Sequence, residues 1–343
     1  MKGRMVVLGH IGDRAVAASV VDGKLDDLLI DPVDENIPLP GAIYRAICDR
    51  PLKGQGGMML RLPEGTAFLR AAKGLRPGQA ILAQVTGFAE DGKAVPVTNR
   101  VLFKSRYAIV TPDAPGINIS RAIKDEEARV RLMDIAHDTV DFDDTTGLIL
   151  RSVAAEAPDD EVAEDIQAMH DLAGAVMADA KGDKPELLVD GADAHALAWR
   201  DWPHADQVET HESALADHGV LDMIDALKGA HVPLTGGAFA YVEPTRALIA
   251  VDVNTGGDTS HAAGLKANIA LSRALPAQLR CRGLGGQIVI DFAPTAKKDR
   301  RQLEQVLKSA FRADSIDTSL VGWTTLGHFE LQRKRERLPL TGV

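Results

Sequence analysis

Two cysteines in 343 residues, Cys48 and Cys281, leave no CxxC-like pair and no disulfide framework. Thiols this few and this far apart suit a reducing, cytoplasmic compartment, with both side chains in a core. No run of 18 apolar residues occurs, so no membrane span is expected. The N-terminus "MKGRMVVLGHIGDRAVAAS" breaks each apolar stretch with charge, and reads as a first strand, not a signal peptide. Internal repeats, coiled coils and low-complexity tracts are missing. The 10 histidines show no HxxxH spacing. His204, His211 and His218 recur every seven residues, two helical turns apart, which is too far for two of them to share an ion. They and His261 are read as surface residues. No Walker loop is present, and the Gly-Gly pairs read as turns.

What is there describes an ordinary globular chain: 45% hydrophobic and 26% charged, long enough for two or three cores. The formal net charge of −10 is unevenly spread. Residues 261–343 hold 14 Lys+Arg against 7 Asp+Glu, so residues 1–260 carry −17. A basic segment on an acidic body can still meet a polyanion, because the local field decides. Solvated helix faces explain the same charges equally well.

Along the chain, residues 1–32 predict a hairpin of "MVVLGHIG" and "RAVAASVVDGKLDDLLIDP", with Asp22-Gly23 as a turn signal. From Pro38 to Leu102 short apolar strands alternate with Gly/Pro punctuation, which suggests a small barrel with the OB-fold as natural candidate. Phe68 could stack a base there; the pattern alone favours the barrel core. "RYAIVTP" and "TGLILRSVA" read as strands, and "NISRAIKDEEARVRLMDIAHD" and "DDEVAEDIQAMHDLAGAVMADA" as helices. The segment 181–233 is polar and less regular.

The last 110 or so residues are the most legible. "GGAFAYVEPTRALIAVDVNTGG" predicts two strands, "AGLKANIALSRALPAQLRCRG" a helix, and "GQIVIDFAP" a further buried strand. "KKDRRQLEQVLKSAFRAD" predicts an amphipathic helix before the basic "LGHFELQRKRERL". Strands separated by one helix are expected to lie parallel, with their C-terminal ends side by side. That arrangement brings Asp252 of "LIAVDVN" next to Asp291 of "QIVIDF". Two neighbouring carboxylates repel unless a cation lies between them. Few protein oxygens suit magnesium or manganese, which keep waters and take phosphate oxygens. Asn254 shares the face of Asp252 and can orient a water or a phosphate oxygen. Capping or surface roles for both aspartates remain open on pattern alone.

"VPLTGGAFAYVEPTRALIAVDVNTGG" with "NIALSRALPAQLRCRGLGGQIVIDF" resembles the catalytic region of the ribonuclease E/G family. "DGKAVPVT", "TPDAPGINISRAI", "TGLILRSVA" and "LGHFELQRKRERL" follow in the family's order. The resemblance implies an α/β, multidomain chain. Residues 1–35 and 181–229 would form the two parts of a ribonuclease-H-like domain. Residues 36–104 would be an inserted OB-fold RNA-binding domain, 105–180 a 5′-sensor region, and 230–343 a deoxyribonuclease-I-like catalytic domain. It also implies Mg(2+) held by Asp252 and Asp291, with Asn254 in support. Phe68 falls where the family stacks a base, and Lys93, Gly116 and the Arg151-Ser152 pair fall at its RNA and 5′-phosphate contacts.

Departures from the family pattern concentrate in the helix between the aspartates. Ala270 and Ala274 stand where two glutamates are usual, and Pro276 is expected to bend that helix. The sequence stops soon after "RKRERL", where longer relatives continue into a two-cysteine zinc motif. The expectation is therefore a monomer by default, with no zinc-clasped oligomer and no membrane association. The function implied is an endoribonuclease cleaving single-stranded RNA. The alternative is a non-catalytic RNA-binding protein that keeps the family fold.

Overall fold

Between Ile43 and Thr98 five short strands alternate apolar and polar side chains, and the apolar set can be buried only if the strands curl round it. They do. Ile43–Leu52, Gly57–Arg61, Thr66–Leu69, Val95–Thr98 and Ala80–Val85 pair in that cyclic order, and the last returns to the first. Thr66–Leu69 and Val95–Thr98 run parallel; the other neighbours run antiparallel. Closure leaves this OB-like barrel without a free edge. Cys48, Met58, Leu60, Ala67, Leu69, Ala83 and Val85 fill its interior.

This computed structural model describes residues 3–340 apart from residues 53, 55, 91 and 143. Its contacts divide into two units, residues 34–203 and residues 1–33 with 204–343. The first unit adds a four-stranded sheet, ordered Gly116–Ile119, Thr146–Leu150, Ala108–Pro112 and Phe103–Lys104. Helices Glu126–Thr139 and Asp159–Ala178 pack on it through Leu132, Ala136, Val162 and Ile166. Glu186–Val189 pairs with barrel strand Ile43–Leu52. The unit runs on to Pro203.

The second unit begins with a meander, Arg4–Ile11, Arg14–Val21 and Lys24–Ile30, one strand more than the hairpin expected. Asp22 (φ 50°) and Gly23 (φ 77°) are both left-handed, the conformation a tight two-residue hairpin needs. Gln207–Glu209 adds to this sheet in parallel, almost 200 residues later in the chain.

The site-bearing sheet has six strands: β1 (His231–Pro233), β2 (Phe239–Pro244), β3 (Ile249–Asn254), β4 (Gly286–Asp291), β5 (Thr318–Trp323) and β6 (Phe329–Arg333). Their order is β1-β2-β3-β4-β6-β5. Helices α1 (Ala263–Cys281) and α2 (Arg300–Arg312) contribute Leu271, Leu275, Leu279, Leu307 and Phe311 to the core built on one sheet face. Ile249, Val251, Val253, Ile288 and Ile290 point into that core. Residues between them therefore point the other way. The α1 helix is continuous through Pro276. Proline in a helix removes one backbone donor, and burial of Leu275 and Leu279 on either side holds the helix together.

Candidate active site

β3 and β4 are joined through α1 and pair in parallel, as a strand–helix–strand connection requires. Their register sets Asp252 directly opposite Asp291. Both side chains lie on the face away from α1 and α2, because each follows a buried residue, Val251 or Ile290. Strand spacing places their Cα atoms about 4.8 Å apart. Both residues are exposed, and the Asp291 side chain is 66% accessible. Among the described residues neither ion-pairs with a lysine or arginine; the His328 Nε2 atom lies 3.7 Å from Asp291 Oδ1. Asn254 Nδ2 donates to Asp252 Oδ2 at 2.8 Å, so the amide fixes one carboxylate oxygen.

Two hard oxygen donors side by side in water, without a fixed cation, fit a magnesium ion that keeps most of its waters. No group of three or more His, Cys, Asp or Glu side chains suited to a metal occurs among the described residues. A structural zinc site would need four ligands. Magnesium, with one or two carboxylates, would not.

The turn after β4 is clamped by a residue that sequence reading passed over. Asn268 is fully buried on α1; its Nδ2 donates to the Ala293 carbonyl and its Oδ1 accepts from the Ala293 N–H, both at 2.9 Å. Ala293 lies two residues past Asp291, so this clamp sets where β4 ends. A few residues earlier, Gly264 lets the helix approach the same turn. A Cβ there would lie 2.1 Å from the Pro294 carbonyl oxygen. The available signal was a polar residue on the apolar stripe of α1, beside Ala267 and Leu271. Asn268→Leu leaves both backbone groups of Ala293 unpaired in the core, and should cost about 2–4 kcal/mol in denaturant unfolding. A variant within 1 kcal/mol of the parent, on the order of one ordinary hydrogen bond, would rule the clamp out.

A model of the Ribonuclease E/G family matches residues 103–211 and 201–336. The chain belongs to the ribonuclease E/G family. Ribonuclease E of Nostoc sp. is 26% identical over 382 residues, covering 94% of this chain and 54% of that protein. Ribonuclease G of Escherichia coli K12 is 28% identical over 300 residues, covering 77% of this chain and 61% of that protein. Ribonuclease G of Salmonella typhimurium is 27% identical over 302 residues, with the same two shares. The chain thus spans between 54% and 61% of the length of these relatives.

The remaining residues singled out for this family member lie in the unit of residues 34–203. Phe68 is half-buried and sits between Ala67 and Leu69, which enter the barrel core; its own ring lies outside that core, over Gly57. Lys93 is exposed and pairs with Glu90, Nζ to Oε2 at 2.8 Å. Gly116 has φ +105° and opens its strand opposite Gly147, whereas Arg151 follows the far end of that neighbouring strand. The two are about 13 Å apart along the strand direction. The fold does not bring them together.

Arg151 is already engaged. Its Nη1 donates to the carbonyls of Ser105, Arg106 (3.1 Å) and Arg200 (2.9 Å), and its Nη2 to Asp201 Oδ1 at 2.9 Å. Lys104 reaches the same oxygen at 2.6 Å, and Arg200 the other one at 2.9 Å. Ser152 beside it is exposed. Burial by itself would raise the Asp201 pKa, but hydrogen bonding and charge from Arg200, followed by Lys104, hold it down to about 2 from 3.8. A carboxylate depressed in the folded state stabilises fully above its unfolded value near 3.8 and loses that contribution as pH falls toward 2. Burial meanwhile lowers the pKa of Lys104 and of Arg151, with Asp201 opposing it in both. Arg151→Ala should therefore destabilise this unit by roughly 2–4 kcal/mol, since Asp201 loses a partner and three carbonyls lose a donor. Unfolding unchanged within about 0.5 kcal/mol, the range of ordinary surface substitutions, would show that these contacts add nothing.

Proposed function

We propose that this chain is an endoribonuclease that cleaves single-stranded RNA by magnesium-assisted hydrolysis, leaving a 5′ phosphate and a 3′ hydroxyl. The observation that carries the reading is the register pairing Asp252 with Asp291 on adjacent parallel strands, with Asn254 bonded to Asp252. Asp252 and Asp291 would hold the ion. When bound, it supplies polarisation of the scissile phosphate and a more acidic water. Asn254 keeps Asp252 in one orientation and retains its Oδ1 as an acceptor for the attacking water. Lysines and arginines of the segment 261–343 would track the RNA backbone, so binding should weaken with salt. On this reading the second unit joins a ribonuclease-H-like piece to a deoxyribonuclease-I-like catalytic piece. Work in RNA processing or decay, in the cytoplasm, belongs to the same reading, and two buried free thiols suit a reducing compartment.

Phe68, half-exposed on the barrel, supports base stacking there, with Lys93 and Gly116 as further RNA contacts. A 5′-phosphate contact at Arg151 and Ser152 takes a modified form: the phosphate would have to displace Asp201 from cations that outnumber it. Neither cysteine is at the surface, with Cys48 and Cys281 exposed by 1% and 2%, so no zinc clasp through them is proposed.

The test is cleavage of a 5′-monophosphorylated and a 5′-hydroxyl oligoribonucleotide, each with magnesium and with chelator. Magnesium-dependent internal cleavage supports the enzyme. RNA binding without cleavage supports the non-catalytic alternative. Equal cleavage of both oligonucleotides would leave Arg151 a structural residue only.

A further inference from the structure

The chain is poor in aromatic residues, at 4%, yet two of them flank the aspartate pair on the same sheet face. The register runs straight across four strands: Asp291 opposite Asp252, Asp252 opposite Tyr241, Tyr241 opposite His231. Phe239, opposite Asn254, stands one pleat along from Tyr241. The ring centroids of His231, Phe239 and Tyr241 lie 5.3–5.8 Å from one another, so they form one cluster. It is not core: Ala240 and Val242, between and beyond the two aromatics on β2, take the inward positions. His231 and Tyr241 are exposed and Phe239 is half-buried.

We propose that His231, Phe239 and Tyr241 form a stacking subsite for one unpaired nucleobase, next to the position of the scissile phosphodiester at the ion that Asp252 and Asp291 would hold. The proposal rests on the endoribonuclease reading above and adds a specificity element to it. Aromatic rings accept any base through its π-face, so the subsite selects for an unstacked, single-stranded nucleotide rather than for sequence. Strand spacing puts the Tyr241 backbone about 5 Å from Asp252 and His231 about 10 Å from it. A base and its own phosphate can therefore occupy neighbouring rows of one surface. A paired base is unavailable, because both of its faces are covered by stacking neighbours. His231 packs against both other rings and acts as a positioning residue.

The experiment uses the full chain and single-stranded oligoribonucleotides carrying 2-aminopurine at one of several positions. In chelator, where no cleavage occurs, quenching of the fluorophore reports stacking. Quenching is expected at one position in the parent and in Tyr241→Phe, and should disappear in Tyr241→Ala. Affinity should fall roughly 5- to 100-fold in Tyr241→Ala and in Phe239→Ala. With magnesium the loss should appear in KM, with kcat little changed. An abasic residue at the quenched position should harm the parent and hardly affect Tyr241→Ala. Should an alanine variant fail to fold, Tyr241→Leu and Phe239→Leu keep the apolar strand and carry the same test. Unchanged quenching, affinity and KM in these variants would overturn the subsite while leaving cleavage by the aspartates intact. Absence of cleavage in the parent, with quenching that still depends on Tyr241, would instead overturn the enzyme reading and keep the subsite.

Discussion

Asp252→Asn and Asp291→Asn are each expected to lower the cleavage rate by on the order of a thousandfold or more, with RNA affinity in chelator unchanged. Each substitution keeps the size of the side chain and removes a charge, and magnesium at a two-carboxylate site depends on both charges. Losing several kcal/mol of phosphate polarisation gives a rate effect of about that size. Stability should move little and could rise slightly. The two side chains are exposed register partners, and among the described residues no lysine or arginine pairs with either, so removing one negative charge relieves repulsion. Cleavage, affinity and unfolding measured on the same preparations separate these effects. Parent-like cleavage in either variant would end the assignment of the pair.

Asp314→Ala should produce the largest loss of stability. Its side chain is fully buried, as is that of Arg333, and it accepts from Arg333 on one oxygen and from Arg280 on the other. Arg280 also meets Asp26 Oδ1 at 3.4 Å and Asp27 Oδ2 at 3.6 Å, which ties the end of α1 to the N-terminal sheet. Arg333 lies in β6 beside Gly286 of β4, so the network anchors the sheet that carries Asp291. Removing the shared carboxylate leaves Arg333 buried without its counter-ion, at a cost of about 3–5 kcal/mol. For a chain of this size the thermal midpoint should fall on the order of 10 °C. A midpoint within about 2 °C of the parent, under 1 kcal/mol, would mean that the network contributes little.

Much of this was readable from residue order. The apolar runs of β3 and β4, the helix between them and the turn residues after Asp252 define a strand–helix–strand unit by local pattern alone. Parallel pairing then follows from the connection, and with it the meeting of Asp252 and Asp291. The barrel was legible for the same reason, since short strands with Gly/Pro turns leave few ways to bury one face. Phe68 was misread by pattern because a single half-apolar strand has no inside until its partners choose one; Ala67 and Leu69 took the core and left the ring outside. Asn268 went unnoticed because its two partners, the N–H and C=O of Ala293, are 25 residues away and carry no sequence signature.

Residue order by itself determined the strand–helix–strand unit of β3, α1 and β4, the likeness to the ribonuclease E/G family and the two aspartates, because each is encoded in a stretch that reads locally. Tertiary structure alone decided which charges meet and which rings share a surface. Arg151 faces Asp201 and three backbone carbonyls, although nothing near it in sequence announces 50 residues of separation from that partner. His231, Tyr241, Asp252 and Asp291 form one row only after four strands have chosen their register. Register is set by burial of the opposite face over the whole sheet, a collective condition that no single segment carries.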